Sequence, residues 1–196
     1  MRRPPKWRLR PSGHTRIPSL CMAVFGLWLF SAQGFGQAVT GGEAHTLFFK
    51  SDGTVWACGQ NTYGQLGDGG SEAHRLPRPV SGLEGVVAVA SGSSHGLALK
   101  ADGTVWAWGR NNWSQIGDNS QTDRRLPVRV PGLENVVAIA AGYYHSVALK
   151  ADGTLWVWGC NANGQLGDGS FTLRKTPVRQ RGHQRGQFFH IDIRRI

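Results

Sequence analysis

Cysteine is scarce in this chain, three residues in 196, and no pair stands at the spacing of a metal site. Cys58 falls where later stretches hold Trp108 and Trp158, so it reads as a small buried filler, and Cys160 opens a loop. The two lie in non-adjacent copies of a repeat, and no disulfide is expected between them. The N-terminal apolar run, Leu20 to Phe30, has eleven residues, well short of the roughly 20 that a spanning helix needs. Acidic residues are nearly missing from both ends. Residues 1–40 hold six Lys/Arg and no acid, and residues 174–196 hold seven basic residues against Asp192 alone. The stretch between, 41–173, has nine basic and eleven acidic residues, so the net charge of +10 belongs to the ends. A nucleic-acid footprint needs its basic charge on the folded face, and none is expected on this body. No unrepeated cluster of acid, base and nucleophile is visible either, which argues against an enzyme, and no cofactor is implied.

What the chain has in quantity is glycine, 28 residues, about twice ordinary usage. The glycines fall in a pattern that recurs every fifty residues. Ala138 to Gly169 repeats Ala88 to Asn119 and Ala38 to Gly69. In register stand His45, His95 and His145, then Gly53, Gly103 and Gly153, each after Asp and before Thr. Trp56, Trp106 and Trp156 follow, and Pro77, Pro127 and Pro177 close each copy. Self-similarity at such a period means a repeat architecture. The second copy reads as four strands. Val86 to Ala90 is apolar on both faces; Leu97 and Leu99 alternate with Gly96, Ala98 and Lys100. Asp102-Gly103 makes a tight hairpin, because glycine accepts the positive φ that the turn requires. Thr104 to Trp108 follows with Val105 and Ala107 facing one way and both Trp the other. After a polar loop, Pro127 to Val130 is the outermost strand, with proline tolerable at its start. Four strands per fifty residues describe a propeller blade.

Blade length alone admits kelch repeats equally well. The residues Gly-x-x-His, Asp-Gly-Thr-hydrophobic-Trp and Trp158-Gly159-Cys160-Asn161-Ala162-Asn163-Gly164-Gln165-Leu166-Gly167-Asp168 instead resemble the repeat of the regulator of chromosome condensation family, over roughly residues 38–180. The fold expected is all-β, with about three four-stranded blades of an incomplete propeller ring: 39–82, 83–132 and 133–179. Cys58 for Trp, Ser114 for Gly and Ile116 for Leu depart from the pattern, and Gln37 to Thr40 makes a weak first inner strand. The resemblance implies a non-catalytic module that binds another protein. Family members also include exchange factors for a small GTPase, and secreted inhibitors of β-lactamase look like architectural relatives.

The repeated residues read as structural. The three His diverge from blade to blade and are expected to satisfy turn backbone rather than share an ion. Ser91, His95 and Asp102 are the types of a hydrolytic triad, but Asp102 is already used by the hairpin. The Asn-x-x-Gly-Gln-Leu-Gly-Asp loop lacks the alternating carboxylates of a calcium loop. Trp56, Trp106 and Trp156 are expected in core packing. Function is expected where copies differ: Glu43-Ala44, Ser93-Ser94 and Tyr143-Tyr144 before the shared His, Tyr63 and Trp113 within the loops, and segments 70–75, 120–125 and 170–175. Tyr63, Trp113, Tyr143 and Tyr144 are the candidate partner-binding residues; the alternative for these positions is drift at solvated loop tips.

At the N-terminus, six basic residues, the short apolar run and Gly36-Gln37-Ala38 fit a secretory signal over 1–38. An anchored or disordered basic arm is the alternative. Residues 180–196 break the repeat register, with neither apolar alternation nor a capping pattern. A frameshift after Arg179 in a longer propeller would account for this, and self-association through open blade edges is the rival.

Overall fold

The computed structural model describes residues 39–181; the expected signal segment and residues 182–196 of the tail lie outside them. The described residues form three antiparallel four-stranded sheets, each a meander drawn from one copy of the repeat. The first blade is β1 (Val39–Gly41), β2 (His45–Phe49), β3 (Val55–Gly59) and β4 (His74–Pro79). The second is β5 (Val86–Ser91), β6 (His95–Lys100), β7 (Val105–Gly109) and β8 (Arg124–Arg129). The third is β9 (Val136–Ala141), β10 (His145–Lys150), β11 (Leu155–Gly159) and β12 (Arg174–Arg179). Strand β1 has three residues where β5 and β9 have six, as the Val-poor sequence before Gly41 implies.

The hairpin between the second and third strands is a local cassette. In the second blade Asp102 Oδ1 accepts from Thr104 N (2.9 Å) and Thr104 Oγ1 (2.6 Å), and Thr104 Oγ1 accepts from Trp106 Nε1 (3.3 Å). The Lys100 ammonium lies over the same indole, 5.6 Å from its centroid. The other blades repeat this with Lys50 and Trp56 and with Lys150 and Trp156. These three Trp are half-buried under an ammonium cap, and Trp106 and Trp156 pack against the core from its rim, as the repeat register suggests.

The outer strands begin earlier than the sequence suggests. Strand β8 starts at Arg124, not at Pro127, because its pairing slips between Ala107 and Gly109 and the extra residues bulge. Pro127 sits in that bulge, where its missing N–H costs no ladder bond.

The core lies between blades. Trp108 packs with Val89 and Ala98 onto Leu47, Val55, Ala57 and Leu66 of the first blade. Trp158 and Ala148 pack likewise onto Leu97, Val105, Ala107 and Ile116 of the second. Alternation along each strand makes this work: odd positions of β7 face the next blade, and the two Trp face the previous one. Both joints share a set of hydrogen bonds. Trp108 Nε1 donates to the Gln65 carbonyl (2.9 Å) and Trp158 Nε1 to that of Gln115 (2.8 Å). Val86 N donates to the Gly53 carbonyl (3.1 Å), and Val136 N to that of Gly103 (3.1 Å). Gly69 N donates to the Arg125 carbonyl (3.0 Å), and Asn119 N to that of Lys175 (3.0 Å). Cys58, in the place of these Trp, is half-buried and not the buried filler expected; it and buried Cys160 are both free thiols.

Candidate functional site

An antiparallel meander puts the turn between its first two strands and the loop between its last two at the same end, and the Asp-Gly hairpin at the other. The varied positions therefore gather on one face, while Gly53, Gly103, Gly153 and the capped Trp occupy the opposite one. The loops of the turn face are held from within. Asn61 Oδ1 accepts from Leu66 N and its Nδ2 donates to Asp68 Oδ1, Gln65 Oε1 accepts from Tyr63 N, and Asp68 pairs with His74 at 2.7 Å. The third blade uses Asn161, Gln165, Asp168 and Arg174 in the same roles. Burial works against the Asp168 carboxylate, but the Ser170 donors and the Arg174 guanidinium outweigh it and hold it down to about 2. The loop motif is thus a scaffold whose aspartate carboxylates and asparagine amides are already engaged.

The Gly-x-x-His turns are packing devices. A Cβ on Gly42, Gly92 or Gly142 would land on the ring of the His three residues on. Ser146 donates its hydroxyl hydrogen to the Gln115 carbonyl (2.8 Å), so it accepts from His95 Nε2–H at 3.0 Å, which fixes that tautomer. The bond spans two blades and does not serve turn backbone, as the sequence suggests. His45 would meet Gly96 at the matching place, and neither of its ring nitrogens has a partner. Burial lowers His45 to about 4; His95 falls to about 3 through burial and the charges of His45 and His145; burial also lowers half-buried His145. Asp102 accepts from its own turn, six residues of strand away from His95, so Ser91, His95 and Asp102 do not converge.

Tyr63, Trp113, Tyr143 and Tyr144 do come together. The rings of Tyr143 and Tyr144 meet edge to face at 4.5 Å between centroids, and Trp113 lies 6.2 Å from Tyr144. Arg110 joins the group, its guanidinium 4.7 Å from the Tyr63 centroid and 5.7 Å from that of Tyr144. Beside them Glu43 accepts from Tyr143 Oη (2.7 Å) and Ser93 Oγ (2.8 Å), which ties all three blades into one surface. Those bonds, Tyr143 first, hold the Glu43 carboxyl below its usual range and raise the Tyr143 phenol. Trp113 and Tyr143 are exposed, at 40% and 53%. Sequence reading missed Arg110, though its position varies as Gln60, Arg110 and Cys160 after a constant glycine.

A family model described as the regulator of chromosome condensation (RCC1) repeat matches residues 52–99, 102–149 and 152–190. The chain belongs to that family. A second model of the same description matches 37–65, 86–115 and 136–165. Among solved structures, Prp20p of Saccharomyces cerevisiae is 26% identical with a TM-score of 0.66, covering 74% of this chain and 38% of its own. Human WBSCR16 is 28% identical with a TM-score of 0.64, covering 72% and 36%. The blades are thus those of a condensation-regulator propeller. The human E3 ubiquitin-protein ligase HERC2 is 42% identical over 48 residues, which is 24% of this chain and 1% of that protein. The chain spans little more than a third of these solved propellers and a hundredth of the ligase.

Proposed function

We propose that this member of the condensation-regulator repeat family is a non-catalytic, exported module that binds another protein through its turn face. The observation that carries the reading is the convergence of Tyr63, Arg110, Trp113, Tyr143 and Tyr144 from three blades. Every one sits at a position that varies between copies, while the scaffold under it is constant. Tyr, Trp and Arg are the residues that dominate the binding energy of protein interfaces. Similar propellers support a protein partner: the Prp20p structure is described with its binding to Gsp1p and histones, and another shows Kap60 bound to the yeast protein. Export rests on the basic N-terminal segment and its short apolar run, and sequencing the N-terminus of material recovered outside the cell tests it. A start near Val39 supports export, and an intact basic arm on exported protein refutes the assignment of 1–38 as a cleaved signal.

The binding test is an affinity titration of a captured protein against the parent and a Trp113→Ala/Tyr143→Ala pair. Loss of a hot-spot anchor weakens binding by about thirty-fold, from roughly 2 kcal/mol. A partner that binds the paired variant within two-fold of the parent places the interface elsewhere.

A further inference from the structure

The three long loops open after the same glycine, and only the second follows it with a cation. In the first, Gln60 donates within its own loop to Thr62 Oγ1 (3.4 Å); in the third, Cys160 is buried. Arg110 instead reaches both ways, toward Tyr63 of the first blade and Tyr144 of the third. Its backbone is fixed from beneath. Arg110 N donates to the Ser94 carbonyl (2.9 Å), and a Cβ on the preceding Gly109 would lie 2.5 Å from that oxygen.

The guanidinium is held by ring faces and not by oxygens. Among the described residues no group accepts a hydrogen bond from it, and no carboxylate lies within ion-pair distance. The basic side chains that end the same loops are engaged: Arg124 by Asp118 and Arg174 by Asp168, each at 2.6 Å, and His74 by Asp68 at 2.7 Å. Glu43 is near enough to feel the Arg110 charge, yet its Oε2 accepts from Tyr143 Oη and Ser93 Oγ instead. A guanidinium set against aromatic rings keeps its plane and leaves its N–H donors along the edges. Its rotamer freedom is given up before any ligand arrives, which lowers the cost of binding. A planar carboxylate fits such an edge through two parallel, charge-assisted hydrogen bonds. A phosphate monoester fits less well, because it sets a charge of about −1.5 to −2 beside Glu43. The loops among the described residues carry no other unengaged basic group to balance it. Trp113 and Tyr143, exposed in the same cluster, supply apolar ground for the residue next to the carboxylate.

We propose that Arg110, set between Tyr63 and Tyr144 with its donors unpaired, receives one Asp or Glu carboxylate of an acidic segment on the partner protein. This rests on the turn face being the binding surface, and the test separates the two. The probe is a library of random short peptides displayed on phage, selected on the full chain and sorted against the Trp113→Ala/Tyr143→Ala pair. Peptides that need those two rings are expected to share an Asp or Glu beside an apolar residue. Changing that acid to Asn or Gln weakens binding about ten-fold or more, and Arg110→Gln, the residue of the first copy, weakens the unchanged peptide equally. The two changes together cost no more than either alone, as partners in one contact require. Arg110→Lys, which keeps the charge without the planar fork, recovers only part of the loss. Thermal unfolding reports that each variant keeps the parental fold. Peptides that need Trp113 and Tyr143 but ignore Arg110→Gln leave the binding face standing and overturn the carboxylate assignment. Full recovery by Arg110→Lys reduces the contact to charge alone and overturns the paired hydrogen bonds. A phosphoserine in place of the acid that binds more tightly makes phosphate the ligand and overturns the choice of carboxylate. A selection in which no peptide depends on Trp113 and Tyr143 sinks the turn face itself, and this assignment with it.

Discussion

Gly103 and Gly153 have nearly the same backbone, φ of 77° and 78°, and different surroundings. A Cβ at Gly103 would lie 3.1 Å from the Asn135 backbone of the next blade, and one at Gly153 would meet nothing within 4 Å. Gly103→Ala and Gly153→Ala therefore share the cost of a left-handed alanine, about 1 kcal/mol. Only the first adds a contact at the joint. Thermal unfolding should show Gly103→Ala melting several degrees below Gly153→Ala, and equal melting temperatures would mean that the joint gives way freely. The requirement for glycine at 103 was legible from Asp102-Gly103-Thr104. Its second reason, the strand of the next blade pressed against the turn, was not, since a single repeat carries no trace of its neighbour's position. His95 is similar. The Gly-x-x-His spacing announces a turn, but the Ser146 hydroxyl that meets the ring lies fifty-one residues on, in another blade.

Strand directions in the third strand of each blade were readable from alternation alone, because a period of two leaves two faces and both are apolar. Which pair of Trp is buried was not. Trp106 and Trp108 look alike in sequence, and the difference comes from depth: Trp106 ends under Lys100 near the hairpin, whereas Trp108 reaches the carbonyl of a neighbouring loop. The aromatic site was half legible for the same reason. Variation between copies marked Tyr63, Trp113, Tyr143 and Tyr144, but the side chain that stacks between them, Arg110, only shows its role once the first and third blades are side by side. At the joints the two indoles are not equivalent. The Gln115 carbonyl also accepts from Ser146, whereas Gly96 stands at that place in the other joint and the Gln65 carbonyl has the Trp108 indole. Trp108→Phe thus strips a buried carbonyl and Trp158→Phe does not. Urea unfolding should place Trp108→Phe about 1 kcal/mol below Trp158→Phe, the cost of a buried acceptor left unmade. The reverse order would show that the Ser146 bond contributes nothing at its joint.

Across the whole molecule the buried imidazoles set a pH window. His45 and His95 are held neutral by burial, at about 4 and about 3, while an unfolded His titrates near 6.5. Between those values the unfolded chain binds more protons than the folded one, so stability falls as pH falls. It is complete above about pH 6.5 and declines toward pH 4, by on the order of 3 kcal/mol from His45 alone. The carboxyls of Glu43, Asp52, Asp102 and Asp152 are shifted downward, and their loss comes later, in stronger acid. Urea midpoints measured at steps from pH 7 to 4.5 should decline steadily, and a flat series would mean that water reaches these rings. The outer strands bear on a different hazard of an open arc. Each of β4, β8 and β12 carries a proline in its bulge and two basic residues or more, among them Arg78, Arg129 and Arg179, and has no fully buried residue. A strand that lacks an amide and bends away cannot template the flat, in-register stacking from which fibrils grow. Amyloid seeding from the rim is thereby closed off along its length, and chains of this kind can crowd together at high concentration with their outermost backbone unavailable for recruitment.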